Sequence, residues 1–342
     1  LLAVAGKGAM QFIRMERRAR GAALAVALIA LAPTGGCYRS FAREAGDDAA
    51  VEADVCAPVE VRARRVFPGV MVLLDRSRSM NMGAGYDWNY WDPAREAIED
   101  ITTALDDDVA FGLGMFPDSS CDGMEPNCCG MPGPLVPVAL GSSAAISDAL
   151  WSATCWGGTP TAPSLAACRD ALAQAIEDRA AAILLVTDGA PNCNEGLDLA
   201  TCRCTSPDLY CGTSTQCLDD TRTHAVLQGM HDTAGVHTWV LGLVGGSGID
   251  WVGVMHDMAE AGGTGDAYLA EDPGDVGPVM DEIAAQVTPC LYDVDASLVE
   301  DPDAVVFEVG GATWVRDGAR LEGCDRIEPD RVRFYGTPCE TI

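Results

Sequence analysis

Apolar segments with the length of strands alternate with amphipathic segments along most of the chain. From Val66 onward, continuous apolar runs over residues 69–74 and 181–187 are typical of strands that are buried on both faces of a parallel sheet. A segment with helical periodicity over 93–105 separates the first apolar run from the next. This alternation predicts a doubly wound, mostly parallel α/β sheet with helices on both faces, which binds ligands at the carboxyl ends of its central strands.

The other predicted elements continue the same alternation. We predict further strands over residues 109–116, 135–140, 236–244 and 267–270. Apolar spacing predicts further helices over residues 143–152, 164–178, 218–233, 250–261 and 276–287.

The two ends of the chain depart from this pattern. Residues 14–20 are rich in arginine and precede an apolar run over 21–32, which is shorter than the roughly 20 residues that span a bilayer. A basic segment followed by a short apolar one is typical of an export signal, so we expect residues 1–36 to be a leader. Residues 37–65 lack apolar periodicity and are expected to be a tether. Residues 291–342, with strand-like segments at 305–309, 313–316 and 331–335, are expected to form a small β module.

The residues around Cys37 suggest how the exported chain is held. Thr34-Gly35-Gly36-Cys37 resembles a bacterial lipobox, although Thr34 stands where leucine is usual. The resemblance implies lipidation at Cys37 and a location in the cell envelope, outside the cytoplasm, with membrane association only through the lipid. The alternative is ordinary signal-peptidase cleavage, with Cys37 in a disulfide.

Charge narrows the range of partners. The chain carries 51 acidic and 22 basic residues, for a net charge of −29. This balance argues against nucleic-acid binding, because phosphate contacts need basic patches, and anionic lipid would repel the chain. Acidic side chains do suit hard divalent cations.

Cysteine usage agrees with export. The chain has 15 cysteines, and cysteines outside the cytosol pair. Setting Cys37 aside for lipid leaves 14, an even number that fits complete pairing. Cys128-Cys129 and Cys202-x-Cys204 offer a zinc site as the alternative, but neither has C-x-x-C spacing.

Three oxygen-rich loops carry the candidate chemistry. Asp75-x-Ser77-x-Ser79 follows the first buried strand, Gly157-Gly158-Thr159-Pro160-Thr161 precedes a helix, and Asp188 follows the most apolar strand. A doubly wound sheet brings such loops to one edge. Hydroxyl and carboxylate oxygens grouped in this way suit Mg²⁺.

These three segments, in this order, resemble the metal ion-dependent adhesion site of the von Willebrand factor type A (VWA) family, and the resemblance covers about residues 66–288. It implies a VWA domain over 66–290 with two cysteine-rich insertions. By resemblance, Ser77 and Ser79 would ligate Mg²⁺ (or Mn²⁺ or Ca²⁺) directly, Thr159 directly or through water, and Asp75 and Asp188 would hold coordinated waters. A carboxylate of a protein or other partner would complete the coordination.

The resemblance and the surrounding residues suggest further roles. Family members often join the two ends of the domain by a disulfide, which implies a Cys56–Cys290 pair, and we expect Cys324–Cys339 to close the β module. Candidates for contact with the ligand are Arg76, Arg78, Tyr86, Trp88 and Tyr90, since guanidinium groups bind carboxylates and exposed aromatic rings often anchor partners.

The function expected from these features is metal-bridged binding or adhesion at the cell surface. The alternative is a disulfide-hardened structural protein of the envelope, in which the metal only stabilises the fold. An enzyme is disfavoured, because the sequence offers no nucleophile, base and orienting group together, and the four histidines show no i, i+4 pair.

Overall fold

The computed structural model describes residues 11–15, 26–29, 64–81, 89–122, 128–130, 134–175, 181–205, 211–244, 251–287, 290–293, 305–309, 312–314, 323–328 and 331–335. The chain divides into two compact units. One spans Phe67–Thr288, and the other combines Leu1–Val66 with Pro289–Ile342.

Fourteen strands and six α-helices lie in the described ranges. The strands are β1 (Gln11–Met15), β2 (Val26–Ile29), β3 (Arg64–Val66), β4 (Gly69–Asp75), β5 (Ala110–Phe116), β6 (Pro134–Ala139), β7 (Ala181–Thr187), β8 (His237–Leu243), β9 (Tyr268–Ala270), β10 (Cys290–Asp293), β11 (Val305–Val309), β12 (Ala312–Trp314), β13 (Gly323–Glu328) and β14 (Arg331–Tyr335). The helices are α1 (Trp91–Ala104), α2 (Ser143–Ser152), α3 (Thr161–Ala175), α4 (Asp220–Ala234), α5 (Val252–Ala261) and α6 (Val276–Val287).

The larger unit is built on one six-stranded sheet with the order β6-β5-β4-β7-β8-β9. All neighbouring pairs are parallel except β5 with β6. The antiparallel strand β6 lies at the edge, where its two prolines, Pro134 and Pro137, are tolerated. The predicted doubly wound, mostly parallel fold is therefore confirmed.

The sheet is covered on both faces, which explains why its central strands are apolar throughout. Along β4, Val70, Val72 and Leu74 pack into a core with α1, α2 and α6. Met71 and Leu73, which alternate with them, pack into a second core with α3, α4 and α5. All seven residues of β4 are buried, as expected for a strand between two helical layers.

The order of the strands fixes where a ligand site can form. From β4 the chain passes to β5 on one side, and it later returns to β7 on the other. Strand order reverses at β4, and ligands of doubly wound sheets bind in the crevice that forms at such a point, beyond the carboxyl ends of the strands. The last residue of β4 is Asp75, the first residue of the candidate motif.

Most predicted elements agree with the observed ones to within two residues, and α3 is the largest exception. It begins at Thr161 and not at Ser164, because the Ser164 amide and hydroxyl both donate to the Pro160 carbonyl oxygen, at 3.3 and 2.6 Å, and so form its first turn. This earlier start brings the helix directly against the Thr159 loop.

The smaller unit contains two four-stranded sheets with the orders β12-β11-β1-β2 and β13-β14-β10-β3. The second is wholly antiparallel and supplies the separate C-terminal β structure that the sequence predicts. It also includes β3 from the end of the expected tether. Strands β1 and β2 lie within the expected leader, β1 pairing with β11 in parallel, and cleavage of that leader stays a prediction. None of the described helices is long and apolar enough to cross a membrane.

Candidate functional site

Asp75 forms the floor of the candidate site. Its side chain is fully buried at the carboxyl end of β4. The Ser77 amide donates to its Oδ1 at 2.7 Å, and the Thr187 hydroxyl at the end of β7 donates to its Oδ2 at 2.6 Å. Both carboxylate oxygens are thus fixed by groups from two neighbouring strand ends.

The serines and Asp188 continue this network towards the surface. The Ser79 hydroxyl donates to Asp188 Oδ1 at 2.9 Å, and the Ser77 and Ser79 Oγ atoms lie 3.0 Å apart. Because Ser79 has one proton and gives it to Asp188, Ser77 is the donor between the two serines. Ser77 is buried, whereas Ser79 is exposed and Asp188 is half-buried. The network is therefore open to solvent on the side of Ser79 and Asp188.

Both carboxyl groups are unfavourably placed as anions. Burial raises the pKa of Asp75 from 3.8 to about 6, against the opposing effect of the Thr187 and Ser77 hydrogen bonds. Desolvation, followed by repulsion from Asp75, holds the pKa of Asp188 well above its usual range. Within the described ranges, no salt bridge reaches either carboxylate. The site thus holds two neighbouring carboxyl groups whose charged forms no cationic side chain among the described residues balances through a salt bridge.

The Thr159 loop packs against the first motif. Thr159 is buried, and the Arg78 amide, between the two serines, donates to the Gly157 carbonyl oxygen at 3.2 Å. Gly157 has a φ of +83°, a left-handed conformation that favours glycine. The three predicted loops therefore meet at one edge of the sheet. Asp75, Ser77, Ser79 and Asp188 share one hydrogen-bonded network, and Thr159 lies on the loop beside it.

Arg76 proves to be structural, which corrects its prediction as a ligand contact. Its side chain is buried and forms a salt bridge with Asp122, and it also donates to the Asp118 carbonyl oxygen at 3.3 Å. The guanidinium is thus occupied by the segment that follows β5 and carries Cys121. Arg78 is exposed, with its guanidinium 5.9 Å from the ring centroid of Trp156, and it remains a candidate.

Tyr90 is also corrected. It is 3% exposed, and its hydroxyl lies 2.7 Å from the Val244 carbonyl oxygen and 2.9 Å from that of Glu271. It packs in the first core beside Trp91, so its ring is not exposed as the prediction requires. Tyr86 and Trp88 lie outside the described residues, so their predicted contacts remain untested.

Four disulfides lie in the segments after β5 and after β7, and Cys129–Cys193 joins the two segments. The pairs are Cys121–Cys128, Cys129–Cys193, Cys202–Cys217 and Cys204–Cys211. These pairings exclude the zinc alternative, because Cys128, Cys129, Cys202 and Cys204 are all oxidised. Four disulfides are typical of a protein that folds outside the cytosol.

The expectation that all the remaining cysteines pair is wrong. Cys155 and Cys168 carry free thiols. They pack against opposite faces of the sheet, Cys155 beside the first core and Cys168 within the second, so they cannot meet. Cys290 is disulfide-bonded, but Cys37, Cys56 and Cys339 lie outside the described residues. Pairing of Cys290 with Cys56 and of Cys324 with Cys339 stays a prediction.

The thiol of Cys155 is a potential nucleophile near the site, and the carboxylates of Asp75 and Asp188 affect its ionisation. Burial, followed by the charges of Asp75 and Asp188, raises the pKa of its thiol. A protonated thiol is a poor nucleophile, so this placement gives no support to covalent chemistry at the site.

The donor set fits a hard divalent cation. Ser77, Ser79 and Thr159 offer hydroxyl oxygens, and Asp75 and Asp188 offer carboxylates that no salt bridge reaches in the described part of the chain. Mg²⁺ favours such oxygen ligands and keeps several waters. These five residues could therefore hold a Mg-type ion, with Ser79 and Asp188 on the solvent side.

Two residues of the site were not identified from the sequence. Thr187 directly precedes Asp188 and is the last residue of β7, and this position was the sequence signal for its contact with Asp75. Asn192 bonds to the Thr159 backbone, and the only sequence signal was its place in the polar loop after Asp188.

Comparisons with known proteins give similarity at the level of solved structures. No family model and no curated protein matches the chain. Proximal thread matrix protein 1 from the mussel byssus is 12% identical over 69% of this chain and 49% of its own, with a TM-score of 0.44. The pilus adhesin SpaC from Lactobacillus rhamnosus GG is 14% identical over 81% and 41%, with a TM-score of 0.49. The vWF domain of the type V pili tip protein Mfa5 from Porphyromonas gingivalis is 12% identical over 65% and 95%, with a TM-score of 0.45. The chain thus spans less than half the length of the first two proteins.

Proposed function

We propose that this protein is an exported binding protein that uses a Mg-type cation to bind a carboxylate group of a partner. Asp75, Ser77, Ser79, Thr159 and Asp188 would hold the cation, which would supply a coordination position for the incoming carboxylate. Support comes from one observation above all. Asp75 and Asp188 belong to one hydrogen-bonded network with Ser77 and Ser79, and no salt bridge among the described residues reaches either carboxylate.

The distribution of burial supports binding of a ligand from outside. Asp75, Ser77 and Thr159 are 0%, 2% and 4% exposed, so these groups are fixed by the fold. Ser79 and Asp188 reach solvent, and Arg78 lies exposed between the serines. A carboxylate that approached this side would meet the guanidinium as well, which can bind it through two hydrogen bonds.

Export is supported by the four disulfides, which persist in oxidising compartments. Attachment through lipid at Cys37 belongs to this proposal. The alternative, a structural envelope protein with a stabilising metal, is favoured by the same disulfides, and it makes a different prediction for Thr159.

Replacement of Thr159 by alanine distinguishes the two functions. We expect T159A to lose partners captured from envelope extracts in MgCl₂, while its thermal stability changes little, because one hydroxyl is removed at the end of a loop. Thr154→Ala is the matched control, since Thr154 is exposed and lies five residues earlier on the same segment. Capture should also be lost in EDTA.

Capture of the same partners by T159A, or by the wild type in EDTA, would contradict metal-dependent binding. A large loss of stability in T159A with unchanged capture would favour the structural alternative.

A further inference from the structure

Asn192 holds Thr159 at both of its backbone polar groups. The Thr159 amide donates to Asn192 Oδ1 at 2.7 Å, and the Asn192 amide donates to the Thr159 carbonyl oxygen at 2.9 Å. Asn192 is 7% exposed, so water competes weakly for these bonds. One residue of the loop after β7 thus fixes the peptide groups on both sides of the Thr159 Cα.

Asn192 is itself held from both sides along the chain. The Asp219 amide donates to the carbonyl oxygen of Pro191 at 2.8 Å, and the Cys193 amide donates to that of Ser214 at 3.0 Å. Cys193 has a φ of +69°, a left-handed conformation that a non-glycine residue rarely adopts. It is kept there by that hydrogen bond and by its disulfide to Cys129.

The same disulfide brings a second contact to the Thr159 loop. The Gly158 amide donates to the carbonyl oxygen of Cys128 at 2.9 Å, and Cys128 precedes the disulfide-bonded Cys129. A Cβ atom at Gly158 would lie 2.8 Å from Cys193 Sγ and 2.9 Å from Asn192 Oδ1. The Thr159 loop is therefore seated, without spare room, between two segments that a disulfide joins.

We propose that Asn192 is a positioning residue for the metal site, and that Asn192 together with the Cys129–Cys193 disulfide fixes Thr159 in one conformation before a cation binds. This inference rests on the proposed function and assigns to Asn192 a role that the five motif residues do not include. A ligand held in place in advance spares the cation the cost of ordering it, which strengthens binding.

Amide hydrogen exchange of metal-free protein tests the positioning directly. We expect exchange of the Thr159 amide to be at least about tenfold faster in Asn192→Ala than in the wild type, because its acceptor is lost. Asn194→Ala is the matched control. Asn194 lies on the same loop and bonds to Asp219 and Gly196, not to Thr159. Asn192→Asp keeps the acceptor oxygen and should restore protection to within about threefold of the wild type.

Isothermal titration calorimetry with Mg²⁺ alone tests whether this positioning strengthens metal binding. Loss of one hydrogen bond that holds a ligand should weaken Mg²⁺ binding by N192A about fivefold, whereas N194A should bind like the wild type. Far-UV circular dichroism and the mass of the oxidised protein establish that all variants are folded with intact disulfides.

The outcomes separate this inference from the proposed function. Three results would overturn the role of Asn192 and leave the proposed function standing, provided that the wild type binds Mg²⁺. They are unchanged exchange of the Thr159 amide in N192A, failure of N192D to restore protection, and equal Mg²⁺ affinities of N192A and N194A. A wild type that does not bind Mg²⁺ would overturn the proposed function, and the role of Asn192 in metal binding with it, whatever the exchange data show.

Discussion

Replacing Asp75 by asparagine should change the way in which the stability of the metal-free protein depends on pH. The carboxyl group is fully buried, and its pKa is raised from 3.8 to about 6. The folded state therefore binds this proton more tightly than the unfolded state does, so the contribution of Asp75 to stability falls as pH rises between these values. The difference corresponds to about 3 kcal/mol of destabilisation at pH 7, with desolvation as its main cause.

Urea unfolding in excess EDTA at several pH values from 4 to 7 measures this effect. The stability of D75N minus that of the wild type should rise by at least about 2 kcal/mol between pH 4 and pH 7, because part of the wild-type loss has already occurred at pH 4. Groups that do not interact with Asp75 cancel in the difference, and relief of the repulsion on Asp188 acts in the same direction. Asp170→Asn, at an exposed ion pair on α3, is the control for removal of a carboxylate that is not buried. A rise for D75N no larger than that for D170N would refute the claim that the buried carboxylate is an unbalanced charge. In MgCl₂ at pH 7, the wild type and D170N should both gain stability, whereas D75N should not.

Two further predictions concern residues outside the metal ligands. Tyr90→Phe should lower the free energy of unfolding by about 1–2 kcal/mol, since it leaves buried carbonyl oxygens without their donor, and calorimetry should give an unchanged Mg²⁺ affinity. A weaker affinity would return Tyr90 to the site. Incorporation of radiolabelled palmitate in a bacterial host should occur in the wild type and be lost in Cys37→Ala, and label that persists in the variant would exclude lipidation at Cys37.

The fold and the arrangement of the motif were predictable, because both depend on patterns local to the chain. Continuous apolar runs gave the buried strands, and the position of Asp75 and Asp188 at the ends of two of them was enough to bring their loops together. The antiparallel direction of β6 was not predictable, since nothing in a short apolar segment at a sheet edge records its direction.

Contacts between distant parts of the chain explain why some site residues and the disulfides were predicted wrongly or not at all. The sequence predicts Arg76 to be a ligand contact, because its ion pair with Asp122 joins residues 46 positions apart. Tyr90 reads as an exposed aromatic residue in a polar loop, yet its hydroxyl bonds to carbonyl groups more than 150 residues along the chain. The same holds for the disulfides, whose connectivity does not follow from spacing, and for Asn192, whose partner is a backbone group.

Diffraction from crystals grown with Mn²⁺, recorded to give its anomalous signal, tests the central claim most directly. Mn²⁺ takes the same oxygen ligands as Mg²⁺. We predict one strong anomalous peak within coordination distance of Ser77 Oγ and Ser79 Oγ, bordered by Thr159, Asp75 and Asp188, and its loss in D188N. Absence of a peak at these residues in crystals of the wild type with saturating Mn²⁺, or a peak that persists unchanged in D188N, would contradict the proposal that this edge of the sheet is a metal site.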